Sequence, residues 1–389
     1  MENTGLPSKD SPDLHLVVAT HEELIEQQHA NSEEWRGALS LEQYIEREMV
    51  LYDQDLTRDG GLTPWVLIYQ PDPNKPREVI CGCESINKRA LVAREGNVED
   101  TICHGIASVF CPPNYRGKGY AGRLMADLGR KLKSWQADNG RACLFSVLYS
   151  DIGKDFYAAR GWQPFPSAHV VIPPASKRPS PTARSLTTED LSELCIADEE
   201  LLRKRLSTVK TIGRTTVAVV PDNRTLRWHH AREDFVAKQL YGQPPHIRGA
   251  VVGDQPGSRV FAYWTRVWAS PQEDGPNTLH ILRIVAEDAT LSDFAPASDE
   301  TTGKLKSSNV AQDIAAVLSV AQYQAAKWDM KEVSVWNPTS ATLAAAQLID
   351  PSVAVQHREK DSITSLQWYG DSGSWQDIDW ICNEKYGWC

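Results

Sequence analysis

The sequence has little that would suit a membrane protein, a secreted protein or a nucleic-acid-binding protein. It contains no run of about 18 apolar residues, the length that a membrane-spanning helix needs. Its polar N-terminus lacks the apolar core of a cleaved signal, so we expect a cytoplasmic protein without a membrane partner. With 51 acidic and 41 basic residues the net charge is −10, which argues against a nucleic-acid partner.

Cysteine is present, but not in a pattern that binds metal. Cys81 and Cys83 are separated by one residue, and no second pair completes a zinc-ligand set among the eight cysteines. Because the cysteines lie mostly in strand-like runs, we expect reduced thiols packed in a core and no metal site. A hydrophobic content of 41% in 389 residues predicts a folded chain of two or three domains.

The composition changes once, around a Pro- and Ser-rich stretch that predicts a linker over residues 174–185. We therefore expect a disordered segment over 1–12, a first α/β domain over 13–173 and a second α/β domain over 186–389. In the first domain, the turn pair Asn139-Gly140 precedes an apolar run that predicts a buried strand. The second domain repeats the order of hairpin, helix and strand, and the hypothesis that it is a degenerate copy stays open.

One segment of the first domain predicts an anion site. A strand ends near Phe110, Pro112 and Pro113 interrupt strand pairing, and Arg116-Gly-Lys-Gly-Tyr-Ala-Gly122 runs into a helix. The glycines allow close backbone approach, so that amides and the helix N-terminus can face one anion. The spacing R-x-x-G-x-A is neither a Walker loop nor a dinucleotide-binding turn.

This spacing after a strand resembles the acetyl-CoA signature of the GCN5-related N-acetyltransferases (GNAT). Phe156-Tyr157-Ala-Ala-Arg-Gly161-Trp162 resembles the family's second signature, with Trp162 in place of the usual Phe. The resemblance implies an α/β fold with a mixed central sheet flanked by helices, and acetyl-CoA as cosubstrate. It implies that Val109, Phe110 and Cys111 pair with the pantetheine arm. It also implies that the pyrophosphate is held by Arg116, Gly117, Lys118, Gly119, Tyr120, Ala121 and Gly122.

A closer resemblance is to the fungal lysine N6-acetyltransferases that open lysine catabolism. It is carried by the segments 104–110, 115–121, 145–157, 228–235 and 383–389. It implies acetylation of a small-molecule amine, most concretely the N6 amine of free L-lysine, with the second domain covering the acceptor site. Two alternatives stay open: another amine, such as a polyamine, a secondary metabolite or an antibiotic, and a CoA-binding regulatory module.

Acetyl transfer to an amine needs a base for the ammonium proton and an acid for the leaving thiolate. The family places a tyrosine hydroxyl near the CoA sulfur, so Tyr157 is the candidate acid. Three groups are candidate bases: Glu84 in the preceding strand, His104 at the start of the nucleotide strand, and the carboxylate of Cys389. Some double-domain acetyltransferases of similar layout use a C-terminal carboxylate in this way.

A second polar cluster, Trp228-His229-His230-Ala-Arg232-Glu233, is a candidate lining of the acceptor pocket. Adjacent histidines point in different directions on a regular element, so we do not predict a zinc site here. If free lysine is the acceptor, Arg232 is placed to bind its carboxylate, and Glu233 or Asp234 its α-amine. Trp228 and His229 complete this set of predicted substrate-binding residues. The oligomeric state is not predicted.

Overall fold

The structure is a computed structural model. It describes residues 5–137, 141–179, 181–208, 212–270, 275–288, 295–370 and 373–389. Parts of the predicted N-terminal segment and linker, and the predicted turn at Asn139-Gly140, lie outside these ranges. The carbonyl oxygens of Pro7 and Lys9 accept hydrogen bonds from the Tyr120 hydroxyl and the Arg123 guanidinium. The disorder predicted for 1–12 stays a prediction.

The N-terminal half forms the mixed α/β arrangement that the sequence predicts. Thr20 and Ser40 each make a capping box, and a helix follows each one. The elements are β1 (Leu14–Val18), α1 (His21–Trp35), α2 (Leu41–Tyr52), β2 (Leu62–Tyr69), β3 (Glu78–Arg94), β4 (Asn97–Phe110), α3 (Tyr120–Leu132), β5 (Cys143–Ser150), α4 (Asp155–Ala158), β6 (Gln163–Pro164) and β7 (Ala168–Ile172).

The C-terminal half repeats this order around a second sheet. A three-stranded antiparallel unit is followed by a long helix, a parallel strand and another helix, which supports the hypothesis of a degenerate copy. The elements are β8 (Ala183–Leu186), α5 (Leu191–Thr208), β9 (Thr215–Val219), α6 (Asn223–Tyr241), β10 (Gly249–Val252), β11 (Val260–Val267), β12 (Thr278–Ala286), α7 (Asp299–Leu305), α8 (Asn309–Lys327), β13 (Glu332–Trp336), α9 (Ser340–Ile349), β14 (Gln356–His357), β15 (Ile363–Trp368) and β16 (Ile378–Trp380).

The two halves exchange strands. β7, from the N-terminal half, pairs with β13 in the second sheet, where Val170 lies opposite Val335. β15, from the C-terminal half, pairs with β5 in the first sheet, where Leu366 lies opposite Val147. β9 also pairs with the end of β3. The boundary predicted at residue 173 therefore divides the sequence, whereas each sheet contains strands from both sides of it.

The two sheets are β1-β2-β3-β4-β5-β15-β6, with β9 and β16 attached through β3, and β14-β7-β13-β12-β11-β10-β8. Apolar residues of both halves share one core cluster, in which Val147, Leu366, Leu202 and Phe261 are all fully buried. None of the helices in the described ranges is long and apolar enough to cross a membrane.

Because of this exchange, we expect the chain to unfold in one cooperative transition. Leu366→Ala removes a fully buried side chain from β15 and should lower the free energy of unfolding of the whole chain by about 2–5 kcal/mol. Urea denaturation followed by fluorescence and by far-UV circular dichroism measures this loss. The matched control is Ile212→Ala, because Ile212 is 86% exposed. Two separate transitions, with only one displaced by Leu366→Ala, would contradict shared cooperativity.

Candidate active site

The site begins where β4 and β5 separate. Their parallel pairing runs from Ile102 opposite Cys143 to Ile106 opposite Leu148 and then stops. Beyond that point β4 stays paired with β3, and β5 stays paired with β15. The register of β3 and β4 shifts here, and Ser108 has a φ of +53°, as in a bulge that bends a strand. One edge of β4 is therefore left open beside a gap.

A cavity of about 540 Å³ occupies this gap. The end of β4, the start of α3 and the end of β5 form one side of it. The other side comes from α2, from α6 of the C-terminal half and from the last residues of the chain. Clefts of this size with a few convergent polar groups are typical of small-molecule sites.

The glycine loop stands at the entrance to α3. Gly117 and Gly119 have φ values of +77° and +85°, which glycine adopts without a steric penalty, and α3 begins directly afterwards. The first amides of a helix have no intrahelical acceptor, so they face outward together with the positive end of the helix dipole. This geometry is suited to binding a phosphate group.

The predicted cofactor residues fall into two groups. Val109, Phe110, Cys111, Arg116 and Ala121 line the cavity. The others form the loop and the first turn of the helix beside it, and the cavity lining does not include them: Gly117, Lys118, Gly119, Tyr120 and Gly122.

Within the loop, Tyr120 and Arg116 have side-chain roles that the sequence did not reveal. The Tyr120 side chain is buried and its hydroxyl donates to the carbonyl of Pro7, so only its backbone faces the loop. The Arg116 guanidinium donates from Nε to the Cys111 carbonyl at 2.8 Å, which ties the loop to the end of β4.

Glu84 lies in the cavity wall at the point of strand separation. The Ser108 hydroxyl on the bulged residue donates to Glu84 Oε2 at 2.8 Å. Burial raises the pKa of Glu84 to about 7, helped by the negative charge of Glu48 and opposed by the Ser108 hydrogen bond. A carboxyl group with this pKa exchanges protons near neutral pH, as a general base requires.

Tyr157 and Tyr149 also line the cavity. Tyr157, on α4, is buried, and burial raises the pKa of its hydroxyl above the usual range, so it is protonated at neutral pH. Tyr149, at the end of β5, has a buried hydroxyl with no hydrogen-bond partner in the described part of the chain. Sequence reasoning selected Tyr157 and missed Tyr149, which directly follows Leu148, the last residue of β5 that pairs with β4.

His104 is not a base in this site. It is fully buried outside the cavity lining, and its Nε2 lies 3.1 Å from the carbonyl oxygen of Trp135. Burial lowers the pKa of its imidazole to about 4, opposed by that hydrogen bond, so the ring is neutral. The side chain fills the interior between β4 and the end of α3, and the proposed catalytic role is corrected to a structural one.

Only half of the predicted substrate cluster reaches the cavity. Trp228 and Arg232 line it, since they are four residues apart and lie on one face of α6. Burial lowers the pKa of Arg232 to about 9, and the positive charge of Arg47 acts in the same direction. The indole nitrogen of Trp228 has no hydrogen-bond partner within the described ranges.

His229 and Glu233 lie on another face of the same helix, outside the cavity lining. His229 Nε2 is 3.0 Å from the Tyr386 carbonyl, and the ring stacks on Trp388. His229 therefore packs against a lining residue from outside the cavity. Glu233 is fully buried and accepts from Arg266 and Arg248, each at 2.6 Å. The substrate-binding role predicted for these two residues is therefore corrected to the support of neighbouring elements.

The last residues described also reach the cavity. Trp388 and Cys389 line it, and Lys88 Nζ donates to the Gly387 carbonyl at 2.8 Å to fix the segment. A Cβ at Gly105 would lie 2.7 Å from Cys389 Sγ, so the missing side chain leaves room for this packing. The carboxylate of Cys389 as a base stays a prediction.

Five residues of α2 line the cavity and were missed: Tyr44, Arg47, Glu48, Leu51 and Tyr52. Arg47 is nearly fully buried and donates from Nε to Glu48 Oε1 at 2.8 Å. Their spacing of three and four places them on one helical face. Two charged residues beside a tyrosine on the buried face of an amphipathic helix were a signal that pattern reading could have used.

Comparison with known families now identifies the chain. The family model for the LYC1 GNAT-like C-terminal domain matches residues 169–389, more than half of the sequence. The chain belongs to this LYC1-like GNAT family. The predicted relation to the GNAT superfamily, near the fungal lysine acetyltransferases, is confirmed.

The LYC1-like chain is similar to a protein named lysine acetyltransferase from Yarrowia lipolytica, with 24% identity over 262 residues. That alignment covers 57% of this chain and 65% of the relative, so the chain spans a little under two thirds of it. A GCN5-related N-acetyltransferase from Anabaena variabilis is 14% identical over 92% of this chain and 73% of its own, with a TM-score of 0.50.

Saccharomyces cerevisiae N-myristoyltransferase, solved with bound myristoyl-CoA, is 10% identical over 93% of this chain and 82% of its own. Its TM-score is 0.52. At these identities both structures show the fold alone, and that fold extends over both halves of the LYC1-like chain.

The correction of Glu233 gives a prediction. Glu233→Gln should lower the free energy of unfolding by about 3–5 kcal/mol, because Arg266 and Arg248 would stay buried without a full countercharge. Binding of acetyl-CoA, measured by calorimetry, should be unchanged in the folded variant. Glu46→Gln, at an exposed position, serves as the control. A variant that keeps its stability but loses affinity for the acceptor would show that Glu233 binds the substrate.

Proposed function

We propose that this LYC1-like protein transfers the acetyl group of acetyl-CoA to a small-molecule amine, most concretely the N6 amine of free L-lysine. The observation that carries the proposal is the gap between β4 and β5, with Glu84 and Tyr157 facing one cavity beside the glycine loop. The lysine acetyltransferase from Yarrowia lipolytica supports the choice of acceptor.

The residues present fit acetyl-CoA as the cosubstrate, which supplies an acetyl group activated as a thioester. The open edge of β4 at Val109–Cys111 offers backbone partners to the amides of the pantetheine arm. We propose that the loop amides from Gly117 to Gly122 and the Arg116 guanidinium bind the pyrophosphate, because the glycines adopt positive φ values and α3 begins directly after them.

Glu84 and Tyr157 divide the proton transfers of the reaction. Glu84, ionised at about pH 7 and above, accepts the proton of the substrate ammonium directly or through one water. The free amine then attacks the thioester carbonyl and forms the carbon–nitrogen bond. As the carbon–sulfur bond breaks, Tyr157, protonated because of its burial, donates its proton to the sulfur, and the second proton that the amine nitrogen loses restores the tyrosine. Holding the two reactants in one cavity supplies much of the remaining rate acceleration.

A thiol-release assay with acetyl-CoA and a panel of amines tests this function. We expect CoA release with lysine that exceeds the release with ornithine, polyamines and aminoglycosides. Tyr157→Phe should slow release about a hundredfold or more while acetyl-CoA still binds. Strong release with another amine and none with lysine would change the acceptor. Binding of acetyl-CoA without release for any amine would favour a CoA-binding regulatory module.

The raised pKa of Glu84 predicts the pH dependence of the reaction. Because the base acts when ionised, kcat/KM for the amine should rise with pH through about 7. In Glu84→Gln the rise of kcat/KM near pH 7 should disappear, and kcat/KM should fall about 10²–10⁴-fold. The remaining pH dependence should come from the lysine amine, whose pKa is about 10.4. A step at pH 7 that survives in the variant would assign the base to another group, such as the Cys389 carboxylate.

Thermal unfolding provides the fold control for this variant. A carboxyl pKa raised by folding means that the ionised form is disfavoured in the native state. The native state therefore loses stability as the pH rises from the pKa of Glu84 in the unfolded chain, near 4.5, through its pKa of about 7 in the folded chain. Glu84→Gln should raise the Tm relative to the wild type at pH 8 and not at pH 5, which distinguishes loss of the base from misfolding.

A further inference from the structure

The charged groups of the active-site cavity are only partly compensated by the protein. Seven charged side chains line it: Glu34, Arg47, Glu48, Glu84, Arg116, Asp151 and Arg232. At the exposed mouth Arg116 pairs with Glu34 at 3.4 Å. Asp151 Oδ1 accepts from the backbone N–H of Ser362 at 2.8 Å. The remaining groups lie between α2, α6 and the strand gap.

Arg232 is the uncompensated cation. Within the described ranges it makes no ion pair and no hydrogen bond, and its contact is with the Trp388 ring, 5.7 Å from the guanidinium carbon to the ring centroid. A half-buried guanidinium that faces a cavity without an acceptor is able to bind an anion, and its fork geometry matches a carboxylate. The feature therefore favours a ligand that carries a carboxylate.

Glu48 has one free oxygen. Both of its contacts with Arg47, from Nε at 2.8 Å and from Nη2 at 2.5 Å, end on Oε1. Oε2 accepts no hydrogen bond in the described part of the chain. Glu48 is close enough to Arg232 and to Glu84 to influence both of them electrostatically. Its free oxygen can accept a bond from an ammonium group on the same ligand that reaches Arg232.

Glu84 is the third group of the lining that keeps free hydrogen-bonding capacity. It receives one hydrogen bond from the Ser108 hydroxyl and has no cationic partner among the described residues. It stands at the separation of β4 and β5, where the resemblance places the reacting end of the cosubstrate. A second amine of the ligand at this point would be the one that reacts.

We propose that three side chains of this cavity determine the specificity for the acceptor: Arg232 binds its carboxylate, Glu48 Oε2 its α-ammonium and Glu84 its terminal amine. The inference rests on the proposed function and assigns the residues that would recognise its acceptor. A polyamine has no carboxylate for Arg232, and a lysine within a peptide has neither a free carboxylate nor a free α-amine. Electrostatic complementarity of this kind determines specificity by penalising ligands that leave a buried charge unpaired.

The test compares lysine with three analogues that each lack one feature: cadaverine lacks the carboxylate, lysinamide has it neutralised, and 6-aminohexanoic acid lacks the α-amine. Arg232→Gln should lower kcat/KM for lysine and 6-aminohexanoic acid at least about thirtyfold, with little change for cadaverine and lysinamide. Glu48→Gln should lower kcat/KM for lysine about tenfold and leave 6-aminohexanoic acid nearly unchanged. Arg227→Gln, at an exposed position on the same helix, is the matched control.

An equal loss for lysine and cadaverine in Arg232→Gln would overturn the assignment of the carboxylate. Equilibrium binding of lysine in the presence of CoA, measured by calorimetry, separates this proposal from the proposed function. The wild type could bind lysine without releasing thiol, and Arg232→Gln could lose that binding. This result would support the recognition site and contradict the proposed enzyme activity. Absence of lysine binding to the wild type would overturn the recognition site, whatever amine is acetylated.

Discussion

The end of pairing between β4 and β5 is the constraint on which the site depends. An interior strand normally satisfies its backbone groups on both sides, and an unpaired edge must find other partners. Here pairing stops after Ile106 and Leu148, and the bulge at Ser108 bends β4 away. The same bulge brings the Ser108 hydroxyl to Glu84. One local irregularity thus opens the cavity, exposes an edge for the cosubstrate and positions the candidate base.

The exchange of strands makes this site the product of both halves. β15 extends the first sheet beside β5, and α6 brings Trp228 and Arg232 to the cavity from the other side. The terminal segment is held by Lys88 and His229, which bind the carbonyls of Gly387 and Tyr386. A first half without its partner would lack these walls. The acceptor side is therefore a property of the folded pair of halves.

The second half has the topology of the first without its loop. β12 and β13 are parallel and separate after Ile281 and Val335, just as β4 and β5 do. However, the neighbouring Arg283 is paired with Asp198 and Glu384, and Glu384 also accepts from the backbone N–H of Ile284 at 3.2 Å. The chain itself thus occupies part of this second strand edge, consistent with a supporting role for this half.

The sequence alone determined the features that depend on neighbouring residues. Capping boxes, the glycine loop before α3 and the signature containing Tyr157 are short-range patterns, because helix starts and phosphate loops are built from a few consecutive residues. Tertiary structure decided what depends on contacts across the chain. Sequence reading placed His104 and Glu233 in the site, and both are paired elsewhere in the interior.

The lack of a partner for Arg232 and for one oxygen of Glu48 among the described residues could not be read from the sequence. The exchange of β7 and β15 could not be read from it either. Each depends on which residue, often far along the chain, lies opposite. The local code therefore determined the fold family and the glycine loop before α3. Long-range packing decided which charges remain free to meet a substrate, because a charge is free only when every element around it leaves it without a partner.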